Sequence, residues 1–126
     1  MNKYTEISDF EINKAVFHKA KIKHKYFRFL PNGVITYNIK GKYQVFDPCN
    51  NPADAMPIIK DSLISITHDG IAWDVSCAKY PELSVWNGLE NYNDNFYRKA
   101  MELFLLIKDA ENEKVWLNSR WPALAI

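Results

Sequence analysis

The sequence is poor in the residues that build nucleotide cradles and metal sites. Glycine occurs four times in 126 residues, too few for a glycine-rich loop around a phosphate, and neither a P-loop nor a G-x-S-x-G elbow is present. The three histidines, His18, His24 and His68, include no i, i+4 pair, and Cys49 and Cys77 form no C-x-x-C. The ligand spacing of a structural zinc site is therefore missing, and neither metal nor any other cofactor is expected. Two cysteines make no disulfide framework either; reduced, largely buried thiols are expected. The longest apolar run, Leu103–Ile107, has five residues, against the roughly 20 that cross a bilayer. The opening MNKYTEISDFEINKAVF carries Glu6, Asp9 and Glu11 where a signal peptide has its apolar core. A soluble, cytoplasmic protein with no membrane partner is expected. An excess of one charge is lacking as well: 16 Lys and Arg against 15 Asp and Glu leave +1, with no overall pull on nucleic acid or membrane.

What is present is an ordinary globular composition, 48% hydrophobic and 25% charged, in a length that suits one domain over residues 1–126. Ser8 and Glu11 form an S-x-x-E capping box, and Phe10, Ile12, Ala15, Val16 and Ala20 give a helical stripe over about 8–20. Strands are expected at 24–30 and 34–39 around Pro31-Asn32-Gly33, with a short third run at 43–46 after Lys40-Gly41-Lys42. Asn51 and Pro52 mark a helix start, although Pro57 would remove one bond from a helix over 52–61. A second hairpin follows at 63–67 and 71–77, turning on Asp69-Gly70, with Ile71, Trp73, Val75 and Cys77 on one face. Residues 79–92 read as a long connection. Asn93 is placed to cap a strongly apolar helix reaching about Ala110, and 111–126 reads as a tail whose Trp116, Leu117, Trp121 and Leu124 call for at least partial docking. Helices separated by hairpins predict an α+β fold, with a largely antiparallel sheet of four to five strands and about three helices packed on it.

Charge is uneven along the chain. Residues 1–43 carry a net +6 and residues 44–126 a net −5. Lys19, Lys21, Lys23 and Lys25 alternate, and with Lys14 and Arg28 they form a basic segment beside Tyr26, Phe27 and Phe29. Basic groups interleaved with aromatics can hold single-stranded nucleic acid; lysines protecting an edge strand fit the pattern better, because arginine, the stronger phosphate fork, is scarce there. The segment Asp47-Pro48-Cys49-Asn50-Asn51-Pro52-Ala53-Asp54 is the most distinctive in the chain. Its Asp and Asn residues suit a rigid strand-to-helix corner. Alternatively, Asp47, Asn50 and Asp54 converge on a small polar pocket; separately, Cys49 is a candidate thiolate because it precedes a helix N-terminus, a location that can lower a thiol pKa.

FDPCNNPADAMPII, residues 46–59, resembles the central motif of NinX-type proteins of lambdoid phages, F-[DN]-P-C-x-[ND]-P-x-D-A-x-P-I-I. SDFEIN at 8–13, ISI at 64–66, Trp73 and RKAMELFLL at 98–106 are similar to other parts of that family in the same order. Met56 stands where an aromatic is common. The resemblance implies a phage or prophage accessory protein and an α/β/α-sandwich-like arrangement, and it supplies no catalytic residue. A non-enzymatic module that binds a host or phage protein is the leading expectation. A nucleic-acid binder using the Lys14–Arg28 segment is second, and a small enzyme using Cys49 and the adjacent polar corner is third.

Overall fold

A computed structural model describes residues 3–20, 27–86 and 95–120, with the backbone alone at 84, 86 and 113–120. Helix α1 spans Asp9–Lys19; Ser8 caps it by accepting the Glu11 N–H at 3.3 Å. Strands β1 (Phe27–Phe29), β2 (Ile35–Ile39) and β3 (Lys42–Val45) form one antiparallel sheet in that order. Helix α2 spans Pro52–Asp61, and β4 (Ile64–His68), β5 (Trp73–Cys77) and β6 (Ser84–Trp86) form a second antiparallel sheet in that order. Helix α3 runs from Phe96 to Arg120.

The α+β class stands, but the strands divide into two three-stranded sheets in place of one sheet of four or five. The three helices join them. Helix α3 packs against α1, α2 and the second sheet. The first sheet is held chiefly by aromatic side chains: Phe17 of α1 meets Phe27 with ring centroids 4.3 Å apart, and Phe46 and Tyr37 close the cluster. The core runs from Ile12 and Val16 through Ile35, Cys49, Ala55 and Val75 to the buried stretch Ala100–Leu105. That stretch explains the unusually apolar helix: α3 has neighbours on several sides.

Several elements differ from the expectation. Residues 79–92 contain β6, which exists because Val85 pairs with Val75; three residues are too few to show a period. Helix α3 is capped by Asn95, whose Oδ1 accepts the Arg98 N–H at 3.2 Å, and not by Asn93, which lies outside the described residues. It continues past Ala110 to Arg120 because no Gly or Pro interrupts the chain before Pro122. The docking expected of the tail concerns side chains outside the description, as do residues 24–26 of the first strand.

The turns differ too. Lys40-Gly41, with φ of +52° and +85°, is the two-residue loop between β2 and β3, as a type I′ turn requires. Asp69-Gly70 is not such a pair: the loop covers residues 69–72, and Asp69 Oδ1 accepts the N–H groups of Ile71 and Ala72. Ile71 is thereby ejected from the strand and stands 80% exposed. Phe10, assigned to the buried stripe of α1, is 53% exposed.

Candidate functional site

The Asp47–Asp54 segment turns the corner from β3 into α2, and its polar groups bond inward. Asn50 and Asn51 donate their backbone N–H groups to the Asp47 carbonyl. Asn51 Oδ1 accepts the Ala53 N–H at 3.0 Å, the N-cap that Pro52 at the first helical position suggests. Such a cap stabilises a helix by about 1 kcal/mol. Asp54, 7% exposed, accepts the Asp47 N–H at 2.9 Å and the Tyr37 hydroxyl at 2.6 Å. Asn13 of α1 is equally committed: its Nδ2 donates to Asp47 at 2.9 Å and its Oδ1 accepts the Cys49 N–H at 3.2 Å. The corner thus ties β2, α1 and α2 together.

A second set of bonds joins it to α3. Arg98 donates to Asp9 and Glu102 and to the carbonyl oxygens of Tyr4 and Ile7. Asp9 also accepts from Asn50 Nδ2 at 3.1 Å, and Asn50 Oδ1 accepts from Asn95 Nδ2 at 2.9 Å. Asn95, the α3 cap, is thereby also bonded to the corner.

Cys49 is fully buried, and its thiol points at the Asp9 carbonyl 3.9 Å away. Burial pushes its pKa well above the ordinary thiol value, the Asp9 charge adds to this, and Arg98 opposes it. The helix end nearby does not overcome these effects, so the sulfur stays a neutral thiol and a poor nucleophile. Cys77 is also buried and unbonded, its thiol 3.6 Å from the Ser62 carbonyl.

On the solvent side of the corner lies a cleft of about 290 Å³. Phe10, Val34 and Val45 supply apolar wall, and Ser8, Asp9, Asp47 and Asn50 form a polar end. Phe10 and Val45 are both about half exposed, at 53% and 52%. The cleft can take an apolar group, and its Asp9–Asp47 end favours a cation or hydrogen-bond donor. Among the described residues no three His, Cys, Asp or Glu side chains are grouped to hold a metal ion.

A family model described as Bacteriophage P22, NinX matches residues 3–108. The chain belongs to the NinX family. No curated protein and no solved structure matches it. The matched span ends within α3, so it includes both sheets, the corner and the Arg98 contacts. In this NinX chain the distinctive segment is first of all a structural joint. Asp47 and Asn50 line the cleft, whereas Cys49, Asn51 and Asp54 do not, and most of the polar atoms of these five residues are used within the protein.

The basic segment is a different matter. Lys19 is exposed at the end of α1, and Arg28 is exposed on β1 with its guanidinium 5.7 Å from the Tyr43 ring; Lys21, Lys23 and Lys25 lie outside the described residues. Sequence reasoning missed Asn13, Tyr37, Arg98 and Glu102 as members of the corner. The only local hint was Asn13, a polar residue one position along from Ile12 on the buried face of α1.

Proposed function

We propose that this NinX chain is a non-enzymatic phage or prophage accessory protein, acting in the host cytoplasm, whose corner cleft receives a protein partner. The cleft carries this reading: two half-exposed apolar residues, Phe10 and Val45, flank an opening that ends in Asp9, Asp47 and Asn50. Such a surface suits an apolar side chain next to a lysine or arginine of a host or phage protein. The neutral, buried thiol of Cys49 speaks against the corner as a nucleophilic enzyme site.

The test is affinity capture of tagged wild-type protein and a Phe10→Ser variant from infected or lysogenic cells, with and without nuclease. A stoichiometric, nuclease-resistant protein bound by the wild type and lost with Phe10→Ser is the expected result. Recovery that disappears with nuclease would replace this reading with nucleic-acid binding through the Lys14–Arg28 segment. Equal capture by both proteins would remove the cleft from the function.

A further inference from the structure

The two charge halves of the sequence are also two places in the fold. Residues 12–46 hold no Asp or Glu, and they supply every strand of the first sheet. The described acidic residues after Asp47 lie on α2, around the second sheet or on α3. A polyanion at the first sheet therefore meets local positive charge, although the whole chain is nearly neutral. Among the described residues, Lys3, Arg98 and Lys108 are spent on carboxylates, whereas Arg28, Lys40 and Lys42 form no ion pair.

The register sorts the side chains of this sheet. Arg28 pairs with Thr36, Thr36 with Val45, and Asn38 with Tyr43, so these five residues share one face. Phe27, Ile35 and Tyr37 take the other face, which Phe17 and Phe46 close. On the outer face Arg28 and Tyr43 are exposed, Tyr43 at 60%, and Thr36 and Asn38 form a half-buried floor. The Arg28 guanidinium stands 5.7 Å from the Tyr43 ring, a planar cation beside an open aromatic surface. Lys40 is exposed in the β2–β3 turn, three residues before Tyr43. Lys42 leaves its strand on the opposite face and serves only the rim. The first acid beyond Tyr43 is Asp47, four residues on, roughly 13 Å away at about 3.3 Å per strand residue.

We propose that this end of the outer face binds single-stranded nucleic acid. One unpaired base stacks on the Tyr43 ring, and Arg28 and Lys40 hold the adjoining phosphates. A sheet surface with an exposed aromatic is a platform for an unstacked base, and a guanidinium beside it forks a phosphate in the same plane. The ring selects the occupant. An acidic peptide matches the cations and leaves the aromatic surface unused, and a duplex keeps its bases stacked inside. The site uses Arg28, Lys40 and Tyr43 and not the alternating lysines. Neither Arg28 nor Tyr43 lines the corner cleft, so the face is separate from the place proposed for a protein partner. With about three cations the binding is weak and steeply salt-dependent.

Fluorescence anisotropy of labelled oligo(dT) and oligo(rU), titrated with the full chain, tests this. Saturable binding of at least one is expected, and the tighter of the two names DNA or RNA as the source. Affinity should fall roughly 20-fold between about 50 and 200 mM salt, from a log–log slope of about −0.7 for each of three cations. Tyr43→Leu should weaken binding at least about fivefold and Tyr43→Phe should keep it, because stacking needs the ring and not the hydroxyl. Arg28→Gln should weaken binding and reduce the slope by about 0.7; placed on a different strand, it decides the matter if thermal unfolding shows that Tyr43→Leu disturbs the sheet. Poly-glutamate and duplex DNA of equal charge should compete at least about tenfold less well than an unlabelled single strand. No binding at ~1 mM protein in low salt overturns the proposal. So does a folded Tyr43→Leu or Arg28→Gln protein that binds as tightly as the wild type, or equal competition by poly-glutamate or duplex.

Discussion

Replacing Arg98 with methionine removes one of the groups that tie the N-terminal segment to α3; the Tyr4 hydroxyl and Lys3, both bonded to Asp109, remain. The guanidinium is only 15% exposed, and it donates to Glu102, whose side chain is 7% exposed, at 2.9 Å. It also reaches Asp9, 45% exposed, and the backbone carbonyls of Tyr4 and Ile7. The Asp9 contact is half in water and contributes modestly. The buried Glu102 contact and the two carbonyl bonds dominate, and breaking a buried ion pair from one side costs about 3–5 kcal/mol. Methionine fits the apolar stem, so packing changes little. At a denaturant slope of about 1–3 kcal/mol per molar urea, the midpoint should fall by roughly 2 M. Arg98→Lys should recover only part of this, because an ammonium cannot fork across two carboxylates and two carbonyls. Urea titration followed by tryptophan fluorescence measures both. A loss below about 1 kcal/mol for Arg98→Met would show that the Arg98 network is dispensable for docking α1 on α3.

The Tyr37 hydroxyl is pushed up to about 12, mainly by burial and then by its bond to Asp54. Its folded value exceeds the unfolded 10, so this contribution is complete below pH 10 and is lost as pH rises towards 12; Tyr37→Phe should flatten stability across that window in alkaline urea titrations. Leu63 sits just after α2 with φ of +58° and is 66% exposed, so it bears left-handed strain with little burial to offset it. Leu63→Asn should raise stability by about 1 kcal/mol, read as a higher urea midpoint, and no gain would mean that the leucine side chain carries packing worth the strain.

The sequence by itself determined the features that depend on a few neighbouring residues. Ser8 and Asn51 cap α1 and α2, and α2 covers 52–61 in spite of Pro57, because a cap and Pro at the first helical position act within one turn. Alternation located β2, β4 and β5, since every second residue must face the interior. The family motif also located the corner. Only the tertiary structure decided what that corner does. Asn13 bonds Asp47 across 34 positions and Arg98 bonds Asp9 across 89, and no local spacing encodes either contact. The same holds for β6, which is a strand only because β5 lies beside it, and for the bond of Asn95, the α3 cap, to Asn50. It holds again for the division into two sheets. Local rules settle which segments are strands or helices, because the interacting atoms are covalently close. Which polar groups are buried and paired depends on surfaces that meet only after the chain has closed on itself, and that closure turned a run of Asp and Asn into a joint between α1, α2, α3 and the first sheet.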